Sequence, residues 1–135
     1  MGALVLKSEP STYSFADLVR EGKTRWDGVK NPMAVKHMRA ARAGDLGVFY
    51  HTGGERRAVG IVRIASDPAD DPKDPALAVF EVTPVKPLAV PVTLEVIKAT
   101  AVFAGSPLVR MGRLSVVPLS DAQWKAFLAL GKTRV

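Results

Sequence analysis

Hydrophobic and polar residues alternate along the chain in short blocks, and the type of alternation changes from block to block. The first block, Gly2 to Lys7, is rich in Leu and Val and predicts a buried strand. Gly53 and Gly54 lie between two further strand patterns and predict a hairpin turn. The remaining predicted strands all show the same kind of pattern, and the complete set after the first is 24–28, 46–51, 58–64, 77–85 and 114–117.

The predicted helices begin at residues that can cap a helix. Ser14 and Ser120 each start a capping-box pattern, in which a hydroxyl and a side chain three residues later satisfy two free backbone amides. Asn31 precedes a proline that suits the first helical turn, and Thr93 precedes a short helical pattern. We expect the helix after Asn31 to end near Gly44.

Prolines are expected to interrupt the chain in two places. Residues 67–75 have the sequence Asp-Pro-Ala-Asp-Asp-Pro-Lys-Asp-Pro, which predicts an acidic loop that no regular element crosses. Pro87 and Pro91 are expected to end the preceding strand. Five or six strands with short helices between them predict a single α+β domain over residues 1–135, built as a small mixed β-barrel with flanking short helices.

Composition excludes several classes of protein. The chain has 135 residues and no cysteine, which excludes disulfide frameworks, thiolate zinc sites, iron–sulfur clusters and cysteine nucleophiles. Its longest apolar runs are far shorter than a membrane span, and its N-terminal residues lack the features of a signal peptide. We therefore expect a cytoplasmic protein that has no membrane partner.

Positive charge is concentrated in the first half of the chain. The formal net charge is +6, and residues 1–63 carry 11 basic and 6 acidic side chains. An uneven positive field favours a polyanion such as nucleic acid, although a solvated basic surface gives the same composition. If nucleic acid is the partner, the expected phosphate-binding residues are Lys30, Lys36, Arg39 and Arg42.

The chain lacks the usual motifs of catalysis. His37 and His51 have no partners at metal-ligand spacing, and no zinc-protease, nucleophile-elbow or phosphate-loop motif occurs. The acidic loop lacks the ordered ligand spacing and the turn glycine of a calcium site. We therefore expect a protein that is not an enzyme and that uses no metal or other cofactor.

Polar and aromatic residues lie beside the ends of the predicted strands. Lys7 and Ser8 follow the first strand, Trp26 and Asn31 follow the second, and Tyr50 ends the third. A pocket for a base taken out of its stack needs an aromatic surface, hydrogen-bonding side chains and nearby cations. The alternative is structural, because a tryptophan of a small domain is often a core residue and Asn31 is already explained as a helix cap.

Four segments resemble the conserved motifs of the EVE domain family. They are Lys7-Ser8-Glu9-Pro10 with Tyr13-Ser14-Phe15, then Trp26-Asp27-Gly28-Val29-Lys30-Asn31, then Gly44-Asp45 with Phe49-Tyr50-His51 and Gly60, and finally residues 113–118. They occur in the family's order and extend over nearly the whole chain, from about residue 4 to residue 130. The combination of the first three motifs is specific.

The resemblance implies a PUA-like fold, similar to the YTH domain that recognises methylated adenine in RNA. It also implies a reader of modified nucleobases, chiefly modified cytosine in DNA, of the standalone kind that carries no fused nuclease. By family position, Trp26 would form an aromatic wall of the base pocket, and Asn31 would face the base edge. The other implied pocket residues are Lys7 and Ser8 on its lining, Tyr50 and His51 at the opposite rim, and Arg113 near the entrance.

The chain departs from the family pattern directly after Asn31. Pro32, Met33 and Val35 replace an aromatic residue, an amide and an arginine that the family commonly has there. Contacts that those three family positions make with a base are therefore not carried over to this chain, and its preferred base can differ.

Two other functions stay open at this point. A PUA-like protein can bind RNA by its shape or its loops without needing a modified base. Some relatives of the ASCH kind resemble hydrolases of modified nucleosides that use a lysine and an acidic residue, which Lys7 and Glu9 could imitate. Residues two apart on a strand point to the same side, however, so Lys7 and Glu9 are expected to neutralise each other.

Overall fold

The computed structural model describes residues 2–135. Within them, seven strands and five α-helices follow the order β1 (Ala3–Ser8), α1 (Phe15–Glu21), β2 (Thr24–Trp26), α2 (Pro32–Ala40), β3 (Leu46–His51), β4 (Arg57–Ile64), β5 (Ala69–Asp71), β6 (Asp74–Thr93), α3 (Leu94–Ala99), α4 (Pro107–Arg110), β7 (Val116–Leu119) and α5 (Asp121–Leu130). A 3-10 turn, Ala101–Phe103, lies between α3 and α4. That turn and α4 were not predicted, and none of these helices is both long enough and apolar enough to cross a membrane.

The strands form one sheet in the order β2-β6-β4-β3-β1-β7, and β5 pairs with β6 outside this sequence. Strands β1 and β3 run parallel, whereas the other neighbours are antiparallel. A parallel pair needs a crossover connection, and α1, β2 and α2 form it here. The predicted α+β class is therefore confirmed, with one or two strands more than expected.

The sheet is curled into a half-barrel. In a flat sheet β2 and β3 would lie roughly 14 Å apart, because two strands separate them and each spacing is close to 4.8 Å. Trp26 of β2 nevertheless packs edge-on against Phe49 of β3, with 5.6 Å between the ring centroids. Strong curling brings the two strands together, and the buried aromatic core fills the interior.

Local sequence signals predict the helix termini well. Ser14 and Ser120 both form complete capping boxes, and Gly22 ends α1 in the left-handed conformation that the prediction requires, with φ at 79°. Thr93 caps α3 as predicted. Helix α2 begins as predicted but ends at Ala40, one turn before Gly44.

Both predictions based on the prolines were wrong. Residues within the acidic segment form β5, which pairs with the start of β6. Strand β6 then continues for 20 residues to Thr93. Pro84 and Pro87 lie next to register shifts of the β4–β6 ladder, and Pro91 lies in the stretch of β6 that has no partner on β4. Bulges accept proline because the backbone amide there is not needed for the ladder.

Helix α1 packs closely on the sheet because Gly60 has no side chain. The Phe15 ring occupies the space into which a Cβ of residue 60 would project, so any larger residue would displace it. Phe15 also packs edge-on against Phe49, with 5.6 Å between the centroids. The start of α1 is thereby fixed beside the end of β1, where the polar residues of the first motif lie.

Candidate base-binding groove

A groove opens where the carboxyl end of β1 meets β2 and the loop that follows it. It encloses about 560 Å³, which is within the range of small-molecule binding sites. Four parts of the chain line it, namely residues 7–9, residues 12–13, residues 24–30 and Ser115. We call it the Trp26 groove.

Trp26 is a core residue and a wall of the groove at the same time. Its side chain is 8% exposed, and its indole packs at 86° against the Phe49 ring. It also lines the Trp26 groove. The two interpretations of Trp26 from the sequence are therefore compatible, because packing on one side holds the ring rigid while another part of it borders the groove.

Lys7 and Ser8 are held at the groove by hydrogen bonds to backbone carbonyls. Ser8 Oγ donates to the Tyr13 carbonyl oxygen at 2.6 Å, and Lys7 Nζ donates to the Gly112 carbonyl oxygen at 3.2 Å. The ammonium group also lies 5.7 Å from the centroid of the Tyr50 ring. Burial lowers the pKa of Lys7 below its usual value, and within residues 2–135 no carboxylate forms an ion pair with it.

Tyr13 lines the groove, although the sequence-based predictions gave it no individual role. Its hydroxyl donates to Glu21 Oε1 at 2.7 Å. Burial, together with this hydrogen bond, raises the pKa of Tyr13, so the phenol stays protonated at neutral pH. The signal was available, since Tyr13 belongs to the first family motif.

The rim of the groove carries side chains of both charges. Arg25 and Lys30 line it, and among the residues described neither takes part in an ion pair. Asp27 and Glu9 also line it. The rim therefore combines cations that suit phosphates with carboxylates that can accept hydrogen bonds from amino groups of a base. Only Lys30 of these four had been expected to contact the ligand.

Tyr50 lines a different cavity. This second cavity encloses about 290 Å³ and shares Lys7 with the Trp26 groove, so the lysine separates the two spaces. We call it the Tyr50 cavity. Tyr50 itself is 4% exposed, and burial raises the pKa of its hydroxyl.

His51 lies in the interior and joins three parts of the chain. Its Nε2 accepts a hydrogen bond from the backbone N–H of Phe15 at 3.0 Å. Its Nδ1 therefore carries the proton and donates to Glu55 Oε1 at 2.9 Å. That hydrogen bond is the main cause that lowers the pKa of Glu55. Both ring nitrogens are thus used within the protein, and His51 does not line the Trp26 groove.

Asn31 and Arg113 also lie outside the lining of the groove. The side-chain oxygen of Asn31 accepts from the backbone N–H groups of Met33 and Ala34, at 2.9 and 3.1 Å, and caps α2. Arg113 is exposed and lies between Gly112, which lines the Tyr50 cavity, and Ser115, which lines the groove.

The basic residues of α2 and of the segment directly after it differ in their ion pairs and hydrogen bonds within the protein. Arg39 forms an ion pair with Asp70 at 2.9 Å and donates to the carbonyl oxygens of Pro75 and Leu77. Arg42, which lies two residues after the end of α2, donates to the carbonyl oxygens of Arg39 and Ala41. Lys36 is exposed and, in the described part of the chain, unpaired.

Lys7 and Glu9 do not neutralise each other as expected. Strand β1 ends at Ser8, so the alternation that would place both side chains on one side does not continue to Glu9. Glu9 Oε1 accepts from the backbone N–H and the hydroxyl of Ser11, and its carboxylate packs against Gly53. No group of three or more potential metal ligands occurs within residues 2–135.

Most residues that line the groove belong to the segments that resemble the motifs of a known family. The model of the EVE domain matches residues 4–130. The chain belongs to the EVE domain family. The predicted resemblance is therefore confirmed over the length on which it was based.

The chain is similar to proteins from distant organisms. Thymocyte nuclear protein 1 of Mus musculus is 27% identical over 165 residues, which cover 96% of this chain and 73% of that protein. The solution structure of Rpa0253 from Rhodopseudomonas palustris is 34% identical, with a TM-score of 0.92 over 98% of this chain and 94% of that one. The human THYN1 protein in complex with DNA containing 5-methylcytosine is 24% identical, with a TM-score of 0.84 over 100% of both chains.

The predicted relation to YTH domains is confirmed at the level of the fold. The YTH domain of Zygosaccharomyces rouxii MRB1, in complex with N6-methyladenosine RNA, has a TM-score of 0.60 and 15% identity. The match covers 99% of this chain and 88% of that one.

Proposed function

We propose that this protein is a non-catalytic reader that takes one modified base, a modified cytosine of DNA, out of its stack and binds it in the Trp26 groove. The observation that carries the proposal is the groove itself. It places a rigid indole, the Ser8 hydroxyl and unpaired cations around one space of about 560 Å³. Such a combination matches the requirements of a flipped base.

The groove residues divide the work of recognition. Trp26 offers an aromatic surface that replaces the lost stacking, which is worth roughly 1–3 kcal/mol per base. Lys7 and Ser8 border the base, while Arg25 and Lys30 at the rim attract the phosphates. Phosphate contacts position the nucleic acid, and contacts inside the groove distinguish the base.

Similar proteins support the ligand class. Human THYN1 has been solved with DNA containing 5-methylcytosine, and the Z. rouxii YTH domain has been solved with N6-methyladenosine RNA. Both carry a modified nucleobase, and both share the fold of this chain. The assignment to cytosine in DNA follows the THYN1 structure, which is the more similar of the two.

A binding panel at one moderate salt concentration tests the proposal. Matched DNA and RNA oligonucleotides would carry cytosine, 5-methylcytosine, 5-hydroxymethylcytosine, adenine or N6-methyladenine at one position. We expect one modified cytosine in DNA to bind about tenfold or more tighter than plain cytosine, because one buried methyl group is worth about 1–3 kcal/mol. Fluorescence of 2-aminopurine placed next to that position should rise if the base leaves the stack.

The same panel tests binding of RNA that does not depend on a modification. The similarity to a YTH domain bound to N6-methyladenosine RNA supports RNA as the nucleic acid, but it does not support independence from the modification. Tighter binding of RNA than DNA, with equal affinity for plain and modified bases, would support this second function and contradict the first proposal. Both proposed functions are non-catalytic, and turnover of a modified nucleoside by the wild-type protein would contradict both of them.

A further inference from the structure

The Tyr50 cavity lies on the other side of Lys7 from the Trp26 groove and has its own set of polar side chains. Lys7, Tyr50, Thr52 and Arg56 line it together with the apolar residues Leu94 and Leu108. All four polar side chains can donate hydrogen bonds, and two of them are cations. No carboxylate lines this cavity, in contrast to the groove.

The carboxylates nearest to the cavity are engaged elsewhere or border other spaces. Glu9 packs against Gly53 and accepts from Ser11. Glu55 accepts from His51 and Arg57. Glu95 lines a neighbouring cavity that also contains Arg56, but it forms no ion pair in the described chain. Among the residues described, no carboxylate therefore forms an ion pair with Lys7 or Arg56.

Tyr50 is a buried side chain whose hydroxyl has no internal partner. The residue is 4% exposed, and within residues 2–135 its oxygen makes no hydrogen bond. Burial raises the pKa of Tyr50, whereas the nearby charge of Arg56 acts in the opposite direction, so the phenol is protonated at neutral pH. The hydroxyl oxygen is not one of the fully buried unpartnered atoms of the described chain, so it is accessible from the cavity and free to donate a hydrogen bond to an anion there.

Arg56 is held beside the cavity by an uncommon backbone conformation. Its φ is 45°, which is the left-handed region that residues other than glycine rarely adopt. Its carbonyl oxygen accepts from the backbone N–H of Leu94 at 2.9 Å, which fixes the turn to the start of α3. The neighbouring Arg57 turns to Glu55, whereas Arg56 remains without an ion pair in the chain described. Strain of this kind persists where the surrounding structure maintains it, often at ligand sites.

We propose that the Tyr50 cavity is a phosphate site, filled by a phosphodiester of the nucleic acid whose base enters the Trp26 groove. Lys7 lines both spaces, so a nucleotide in the groove brings the adjoining backbone to the cavity. The hydrogen-bond donors indicate the ligand class. A phosphate accepts several hydrogen bonds at once, and its negative charge is opposite to the positive charges of Lys7 and Arg56. This assignment rests on the proposed function.

The test compares two cavity variants with one matched control. Arg56→Asn removes the charge and keeps a residue that tolerates positive φ, and Tyr50→Phe removes only the hydroxyl. Arg63→Gln is the control, since Arg63 is exposed on β4, is unpaired in the described chain and lines neither space. Affinity for a DNA oligonucleotide with one 5-methylcytosine would be measured over a range of salt concentrations.

We expect Arg56→Asn to lower the slope of log affinity against log salt by about one and the affinity by about tenfold. Tyr50→Phe should lower the affinity by about fivefold, as for the loss of one hydrogen bond. A neutral methylphosphonate at the linkage that contacts the cavity should weaken the wild type but not Arg56→Asn. Wild-type affinity and slope in both cavity variants, as in Arg63→Gln, would overturn the proposal.

Two further readouts separate this proposal from its alternatives. The salt slope does not depend on the identity of the base, so failure of the proposed function would show as equal wild-type affinity for 5-methylcytosine and cytosine while the slopes still differ. Inorganic phosphate at constant ionic strength tests a free anion. One outcome is that inorganic phosphate raises the melting temperature of the wild type but not of Arg56→Asn, while both proteins have the same salt slope for the oligonucleotide. In that case the ligand is a free phosphate, and the diester assignment is overturned.

Discussion

Residues 24–30 and residues 31–42 are adjacent in the chain and both carry basic side chains, but the fold uses these charges differently. In the first segment Arg25 and Lys30 border the Trp26 groove and remain unpaired in the described chain. In the second, Arg39 binds Asp70 and two carbonyl groups, and Arg42 donates to the carbonyl oxygens of Arg39 and Ala41 at the end of α2. The second segment has three basic residues against two in the first, but two of its three are engaged within the protein, and only Lys36 is unpaired in the described chain.

The difference shows why a cluster of charges in a sequence does not locate a binding surface. Asp70 neutralises Arg39, and the carbonyl groups of Pro75 and Leu77 fix the guanidinium against the β5–β6 hairpin. To bind a phosphate, Arg39 would have to give up these contacts, which offsets part of the gain. Arg25 and Lys30 lose no ion pair when they bind, so the same attraction is available in full.

The largest effect is expected from a substitution of Trp26, which tests whether this residue recognises the base. Trp26→Ala should destabilise the fold by about 3–5 kcal/mol, because a large buried side chain is removed. It should also lower affinity for the preferred modified base by about tenfold to a hundredfold and abolish most of the preference over the plain base. Denaturant unfolding and the oligonucleotide panel would be measured on the same protein.

Trp124→Ala is the matched control for that change. Trp124 on α5 is also 8% exposed and does not line the groove, so it should lose similar stability and keep its preference. Trp26→Phe provides a folded variant with a smaller stacking surface if Trp26→Ala is too unstable to assay. Equal preference in wild type, Trp26→Phe and Trp124→Ala would show that Trp26 serves only the core.

The second test removes two positive charges from each segment in turn. The double variant Arg25→Gln and Lys30→Gln should reduce the salt slope by about two, because each phosphate contact contributes about 0.9. The matched double variant Arg39→Gln and Arg42→Gln removes the same formal charge and should leave the slope close to that of the wild type. Affinity would be measured with plain and modified oligonucleotides, and both should weaken alike because phosphates carry no sequence information.

A slope that falls in the Arg39 and Arg42 variant but not in the Arg25 and Lys30 variant would reverse the comparison. It would show that the nucleic acid releases Arg39 from Asp70 and binds along α2. The sequence alone predicts phosphate contacts for Lys30, Lys36, Arg39 and Arg42, so it expects the slope to fall by about two in the Arg39 and Arg42 variant and by about one in the Arg25 and Lys30 variant.

The parts of the structure that could be predicted from sequence are those with local causes. The caps at Ser14, Asn31, Thr93 and Ser120 depend on residues within three positions, and all four are present. Trp26, Lys7 and Ser8 could be assigned to one site because the family motifs place them together, and all three line the groove.

The contacts that the sequence did not predict have distant causes. The hydrogen bond from Phe15 to His51 spans 36 residues, and the ion pair of Arg39 with Asp70 spans 31. Neither partner can be identified from local spacing. The prolines of β6 were misjudged because their effect depends on the register of β4, where the bulges occur.

The smallest expected effect concerns Asn31, which stands at the boundary between the two segments. Its side-chain oxygen caps α2 through two backbone N–H groups, so Asn31→Ala should destabilise the protein by about 1 kcal/mol. Asn31→Asp keeps the capping oxygen and should retain nearly all of that stability. Because Asn31 does not line the Trp26 groove, we expect both variants to keep the wild-type preference for the modified base. If the side-chain amide donates to the base edge, as the family position implies, both variants should lose preference although only Asn31→Ala loses stability. Thermal unfolding and the oligonucleotide panel, measured on the two variants together, therefore distinguish a helix cap from a base contact.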